Sequence, residues 1–173
     1  MIAKEELNIL WILEQTAEKY ANRVAVSDVN QELTWKELVK KAQIIGAELS
    51  EKVQPGNPVP VLLEKSSETL AVMLGIVYAG CFYVLMDTKQ PASRLQQILG
   101  ILDSDVIVTS EKYLKDLEKL EFKGKVLMAP DLAAEQENEA VLNEIREQAL
   151  DVDPLYGIFT SGSTGVPKGV VVG

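Results

Sequence analysis

Residues 160–169 read TSGSTGVPKG. The run holds four hydroxyl side chains (Thr160, Ser161, Ser163, Thr164), three glycines (Gly162, Gly165, Gly169), Pro167 and Lys168. Glycines let backbone N–H groups approach an anion closely and adopt positive φ. The hydroxyls add donors, Lys168 supplies formal charge, and Pro167 stiffens the chain leading into the lysine. Together these groups can surround a di- or triphosphate. The run does not match the nucleotide P-loop, G-x-x-x-x-G-K-[ST]. Pro167 stands where that motif has its second glycine, and Gly169 where it has the Ser or Thr that holds magnesium. The β-branched VVV that follows reads as a strand, so no helix N-terminus assists. Two readings remain: a hairpin-type phosphate loop with hydroxyls in place of a helix dipole, or a ligand-free polar connection between strands.

Composition narrows the other chemistry. The chain has no histidine, which excludes His-based triads, proton shuttles and His metal sites from it. Its single cysteine, Cys81, sits in an apolar run and reads as a small core residue. A free buried thiol fits a reducing, cytoplasmic setting. The net charge of −9 opposes nucleic-acid binding. The lysines at 40–41 and 112–125 are interleaved with acids and read as solvated helix faces. The start, MIAKEELNIL, carries acidic residues where an export signal would be basic. Residues 69–86 are uncharged and reach the lower limit of a membrane span, roughly 17 residues. Gly75 and Gly80 interrupt them, and Glu68 and Asp87 bound them, so we read a buried helix ending at Gly80 followed by a buried strand.

The remaining elements follow from periodicity and punctuation. An apolar stripe of Leu7, Leu10, Trp11, Leu13 and Ala17 predicts a helix over residues 5–20. Residues 24–29 and 32–34 predict a short hairpin. Thr34 with Glu37 forms a capping box for a helix whose buried face is Leu38, Ala42, Ile45 and Leu49. Strands VPVLLE, FYVLMD, DVIVTS, KVLMA and YGIFT alternate with helices PASRLQQILGIL, EKYLKDLEKL and an acidic stretch over 134–148. Continuous apolar strands alternating with helices predict an α/β fold: a mostly parallel sheet with helices on both faces, in three layers.

TSGSTGVPKGV resembles the motif of the adenylate-forming, AMP-binding superfamily at essentially every position. LTWKEL at 33–38 and LGIVYAGCFYVLMDTKQPASRL at 74–95 are similar to the first two motifs of its amino-acid-activating branch. Two departures stand out: Cys81 replaces a usual small residue, and Leu85 with Met86 replaces a Pro-containing pair.

The resemblance implies a ligase that uses ATP and Mg2+ to activate a carboxylate, here an amino acid, as an acyl-adenylate. A carrier-protein phosphopantetheine or CoA thiol then takes the acyl group. It assigns Thr160, Ser161, Gly162, Ser163, Thr164, Gly165, Lys168 and Gly169 to the ATP phosphates. It names no catalytic residue and no metal ligand in this chain. Family members run to several hundred residues, so residues 1–173 read as the incomplete N-terminal part of an adenylation domain, inactive alone. The alternatives are part of an aryl- or fatty-acyl-CoA ligase, or a non-catalytic α/β interaction module. A truncated sheet rich in Val and Ile also predicts self-association through an exposed edge.

Overall fold

The computed structural model describes residues 9–134, 138–149, 153–161 and 166–173. Helix α1 (Ile9–Lys19) leads into the antiparallel pair β1 (Val24–Ser27) and β2 (Glu32–Thr34). Helix α2 (Trp35–Ser50) begins on the expected capping box. The Glu37 amide donates to Thr34 Oγ1 at 3.3 Å, and the Thr34 amide donates to Glu37 Oε2 at 2.8 Å. Two of the orphan donors at the helix start are thereby satisfied.

From there strands and helices alternate. They are β3 (Pro58–Leu62), α3 (Ser67–Tyr78), β4 (Phe82–Leu85), α4 (Ala92–Leu102) and β5 (Val106–Thr109). A 3-10 turn (Glu111–Tyr113), α5 (Leu114–Lys119), β6 (Lys125–Met128), α6 (Ala129–Leu132) and α7 (Glu139–Gln148) follow. Strands β7 (Tyr156–Ser161) and β8 (Pro167–Val172) complete the series. The sheet order is β6-β5-β3-β4-β7-β8, parallel throughout except for antiparallel β8.

Strand alternation sorts the core onto two faces. Val59, Val61, Val106 and Val108 pack with α2, α3 and α6 on one face. Leu62 and Ile107 pack with α4 and α5 on the other. The expected three-layer α/β architecture is therefore present. Residues 69–86 divide as read from the sequence, into α3 and β4. Gly80, at φ +72°, closes α3. Its amide donates to Val77 O at 2.9 Å and that of Cys81 to Ile76 O at 3.0 Å, the paired bonds of a Schellman stop. Among the described residues no helix is long and apolar enough to cross a membrane.

Helices α2 and α3 approach closely because both carry glycine at the crossing. A Cβ on Gly75 would lie 2.5 Å from Ile45 Cγ2, and one on Gly46 would lie 2.5 Å from Tyr78 Cβ. A three-way polar contact then ties distant parts of the chain together. Glu14 Oε1 of α1 accepts from the Tyr78 hydroxyl of α3 at 2.9 Å and from the Arg146 guanidinium of α7 at 2.5 Å.

Three expectations need correction. In the acidic stretch expected as a helix from residue 134, Ala134 is not helical and α7 starts at Glu139, capped by the Asn138 side chain; residues 135–137 lie outside the described residues. The short helix α6 was not foreseen; Pro130 lies in its first turn, where a missing N–H is tolerated. Trp11, counted in the buried stripe of α1, is 36% exposed, while Leu10 and Ala17 are buried. The stripe is narrower than hydrophobicity alone suggested.

Candidate functional site

The β7–β8 hairpin carries the TSGSTGVPKG run. In its register Thr160 faces Lys168, Phe159 faces Gly169, Ile158 faces Val170, and Ser161, the last residue of β7, faces Pro167. Gly162, Ser163, Thr164 and Gly165 lie outside the described residues. The expected hairpin form of the loop is present: two strands flank it, and neither is a helix.

Side chains directly opposite each other in an antiparallel pair share a face. Thr160 and Lys168 therefore stand together on one face, both exposed. Thr160 Oγ1 reaches Lys168 O only at 3.5 Å, which is long for an O–H···O bond, so the hydroxyl remains available. Lys168 has no ion-pair partner among the described residues. An exposed lysine on the same face as a weakly held hydroxyl is a donor set suited to an anion.

Packing fixes where these groups stand. Strand β7 pairs in parallel with β4, and the Tyr83 and Tyr156 rings stack with centroids 5.9 Å apart at 22°. Burial, and then the neighbouring Tyr156, push the Tyr83 hydroxyl above its ordinary pKa. Phe159 packs against the α4–α5 side of the core. Its ring also crosses β8 at Gly169, where a Cβ would lie 3.1 Å from Phe159 Cζ. Gly169 thus has a packing reason to be glycine, which the phosphate reading alone did not provide.

Because β7 runs parallel to the central strands, the loop opens at their carboxyl end. That is the end where open α/β sheets bind ligands, usually at the point where strand order reverses. Here the order reverses between β3 and β5. At that crevice Lys112 pairs with Glu64 at the surface, and Thr109 Oγ1 donates to Leu62 O at 2.9 Å. The pairing with Glu64 raises the Lys112 pKa. Lys168 stands apart from that crevice, on β8, beyond β4 and β7.

Asp28 is a functional-looking group that sequence reading passed over. Its Oδ2 accepts from the Ser67 amide and hydroxyl, both at 2.7 Å, and its Oδ1 accepts from the Asn30 and Gln31 amides. The Ser67 hydroxyl and amide are the main reasons its pKa falls well below the carboxylate range. Every acceptor site is used in pinning the β1–β2 turn to the start of α3, so the role is structural. No local signal could have revealed it, since Ser67 lies 39 residues further on.

The cavities lie elsewhere. One of about 140 Å³, lined by Tyr78, Cys81, Ile145 and Pro154 among others, sits at the amino end of the sheet. Cys81 is 1% exposed there, donates to Gln54 O at 3.2 Å, and has its thiol pKa pushed up to about 11, chiefly by burial. A neutral buried thiol is a poor nucleophile. Among the described residues no group of three or more His, Cys, Asp or Glu could hold a metal ion.

The sequence model of the family described as AMP-binding enzyme matches residues 13–173. The chain belongs to that family. Among its relatives is Nonribosomal peptide synthetase 9 of Aspergillus fumigatus, 36% identical over 166 residues, covering 93% of this chain and 14% of that protein. Another is Tyrocidine synthase 1 of Brevibacillus parabrevis, 32% identical over 162 residues, covering 93% of this chain and 15% of that protein. The chain thus spans about one seventh of the length of these two AMP-binding relatives.

Among solved structures, the nonribosomal peptide synthetase FmoA3 in its AMPPNP-bound form superposes with TM-score 0.75 at 30% identity, covering 97% of this chain and 17% of that one. The Klebsiella oxytoca NpsA N-terminal subdomain, in complex with 3-hydroxybenzoyl-AMSN, superposes with TM-score 0.78, covering 94% of this chain and 40% of that one. At 21% identity the NpsA likeness shows the fold alone.

Proposed function

We propose that the chain forms the N-terminal, phosphate-binding part of an adenylation domain that activates an amino acid for a carrier thiol. The observation that carries this reading is the exposed Lys168, without an ion-pair partner among the described residues, beside the Thr160 hydroxyl in an AMP-binding family chain. The nonribosomal peptide synthetase relatives favour an amino acid over other carboxylates.

In the reaction, a carboxylate oxygen of the amino acid bonds to the α-phosphorus of ATP. The bond to the bridging oxygen breaks, and pyrophosphate leaves. A phosphopantetheine thiol, or that of CoA, then takes the acyl group and AMP leaves. ATP would enter as its magnesium complex, the cation neutralising charge on the phosphate oxygens. Lys168, the hydroxyls of Thr160, Ser161, Ser163 and Thr164, and the amides at Gly162, Gly165 and Gly169 would hold the β- and γ-phosphates. Their contribution is position and charge stabilisation. No residue of the hairpin acts as base or nucleophile. The buried, free Cys81 fits a reducing compartment, and we place the reaction in the cytoplasm.

Titration of pyrophosphate and of MgATP into the chain tests the reading. Removing one charge-assisted partner costs about 1.5–3 kcal/mol, so Lys168→Ala weakens binding by roughly 10- to 100-fold. Equal affinity in both proteins removes the hairpin from the reaction. The 173-residue chain alone is expected to show no amino-acid-dependent ATP–pyrophosphate exchange. Robust exchange would show that these residues suffice for activation.

A further inference from the structure

Gly169 is a weak point in the backbone beside Lys168. A glycine inside a strand adds conformational freedom and brings no side chain to pack. The neighbouring strand covers this one. A Cβ on Gly169 would lie 3.1 Å from Phe159 Cζ, 3.2 Å from Cε1 and 3.7 Å from Cε2, so the far edge of the ring fills the place of the missing side chain. An aromatic ring across the ladder from a glycine steadies the strand that carries it. Phe159 is anchored in turn, against the cluster that contains Met86 and Leu95, Ile98 and Leu99 of α4.

Alternation carries this hold to the other face of the hairpin. Pro167 and Gly169 flank Lys168 in the chain and stand on the face opposite to it. Pro167 is buried, and its own ring fixes its φ. Helix α4 lies against β8. The backbone that bears the lysine is thus held on both sides, by Pro167 before it and by the Phe159 ring over Gly169 after it. Neither group stands on the face that Thr160 and Lys168 share.

We propose that Phe159 is a positioning residue for the phosphate hairpin. Its ring, seated over Gly169, fixes the placement of Lys168 opposite Thr160 from the other face of the sheet. This role rests on the phosphate reading above. Loss of the ring frees the backbone at Gly169, so the lysine is no longer aimed. A Cβ at Gly169 pushes the ring away and has the same result. Ring and glycine form one device, and either change alone defeats it.

Pyrophosphate titration into the 173-residue chain, run as a double-mutant cycle, tests this. Phe159→Leu keeps an apolar side chain without the ring and is expected to weaken binding by about 3- to 30-fold. Phe159→Tyr keeps the ring and stays within about 2-fold of wild type. In a Lys168→Ala background the loss from Phe159→Leu shrinks below about 2-fold, because the ring acts through the lysine. Gly169→Ala weakens binding by itself and adds no further loss to Phe159→Leu. Circular dichroism gives the folded fraction to which each affinity refers. If Phe159→Leu does not fold, Gly169→Ala makes the same comparison, with and without Lys168, from the other strand. Equal affinity of wild type and Lys168→Ala overturns the phosphate reading, and this role falls with it. Where binding does depend on Lys168, two results overturn the role alone. One is wild-type affinity in Phe159→Leu or Gly169→Ala. The other is a loss of the same factor with and without Lys168, the mark of a residue that only supports the fold.

Discussion

Lys168 and Gly169 are neighbours in the sequence, but physical chemistry treats them differently. Lys168 was legible at once, because a lysine in a glycine- and hydroxyl-rich run needs an anion or water, and the structure leaves it exposed. Gly169 read as one more flexible residue of a phosphate loop. Only the hairpin register, which puts Phe159 across it, supplies a second reason for its missing side chain. Asp28 marks the limit of residue-level reading, since its partner Ser67 arrives through tertiary structure. Its folded pKa is depressed, so its contribution to stability is complete above the ordinary value of 3.8 and is lost as pH falls through the lower folded value. Asp28→Asn is therefore expected to lower the melting temperature at neutral pH. The gap from wild type narrows as the pH drops below 3.8. A gap that stays constant down to acid pH would mean the carboxylate charge does not hold the turn on α3.

The elements were legible where local signals set them. The Thr34–Glu37 capping box, the Gly80 stop and the apolar runs of β3, β4 and β5 all stand as the sequence predicted. Elements set by contact were not legible. Helix α6 is one turn on the end of β6, too short to show a period, and Trp11 is apolar yet sits outside the packed side of α1. Gly75 shows the difference most clearly. In the sequence it argued against a membrane span, whereas in the fold it lets α3 lie against Ile45 and the Ala42 carbonyl of α2. Gly75→Ala gains helix propensity of about 1 kcal/mol. It should nonetheless be destabilised by about 1–3 kcal/mol in urea unfolding, because the interface is overpacked. Gly100→Ala, on the exposed side of α4 with nothing within 4 Å of its Cβ, should gain up to about 1 kcal/mol. Equal effects of the two substitutions would refute the close crossing.

At the scale of the molecule, alternation of strands and helices was enough to read the three-layer sheet. The order of its strands was not, because crossovers leave no mark on local periodicity. Nor did the sequence show that Lys112 pairs with Glu64 at the strand-order crevice while the hairpin that carries Lys168 stands apart from it. The core as a whole can be tested through Cys81. At 1% exposure and with its pKa near 11, it should resist a thiol reagent in native protein and react stoichiometrically once urea unfolds the chain. Rapid native labelling would place it outside the core.

The Glu14–Tyr78–Arg146 contact also dictates an order of events during synthesis. Glu14 meets Tyr78 across 64 residues and Arg146 across 132. On the ribosome, the first helix emerges long before either partner. Its link to Arg146 must wait until α7 has cleared the exit tunnel. The parallel strands, separated along the chain by helices, share that dependence on distant contacts and the slow folding that comes with it. The nascent chain would thus gain this grip on α1 only after α7, just before the β7–β8 hairpin is made.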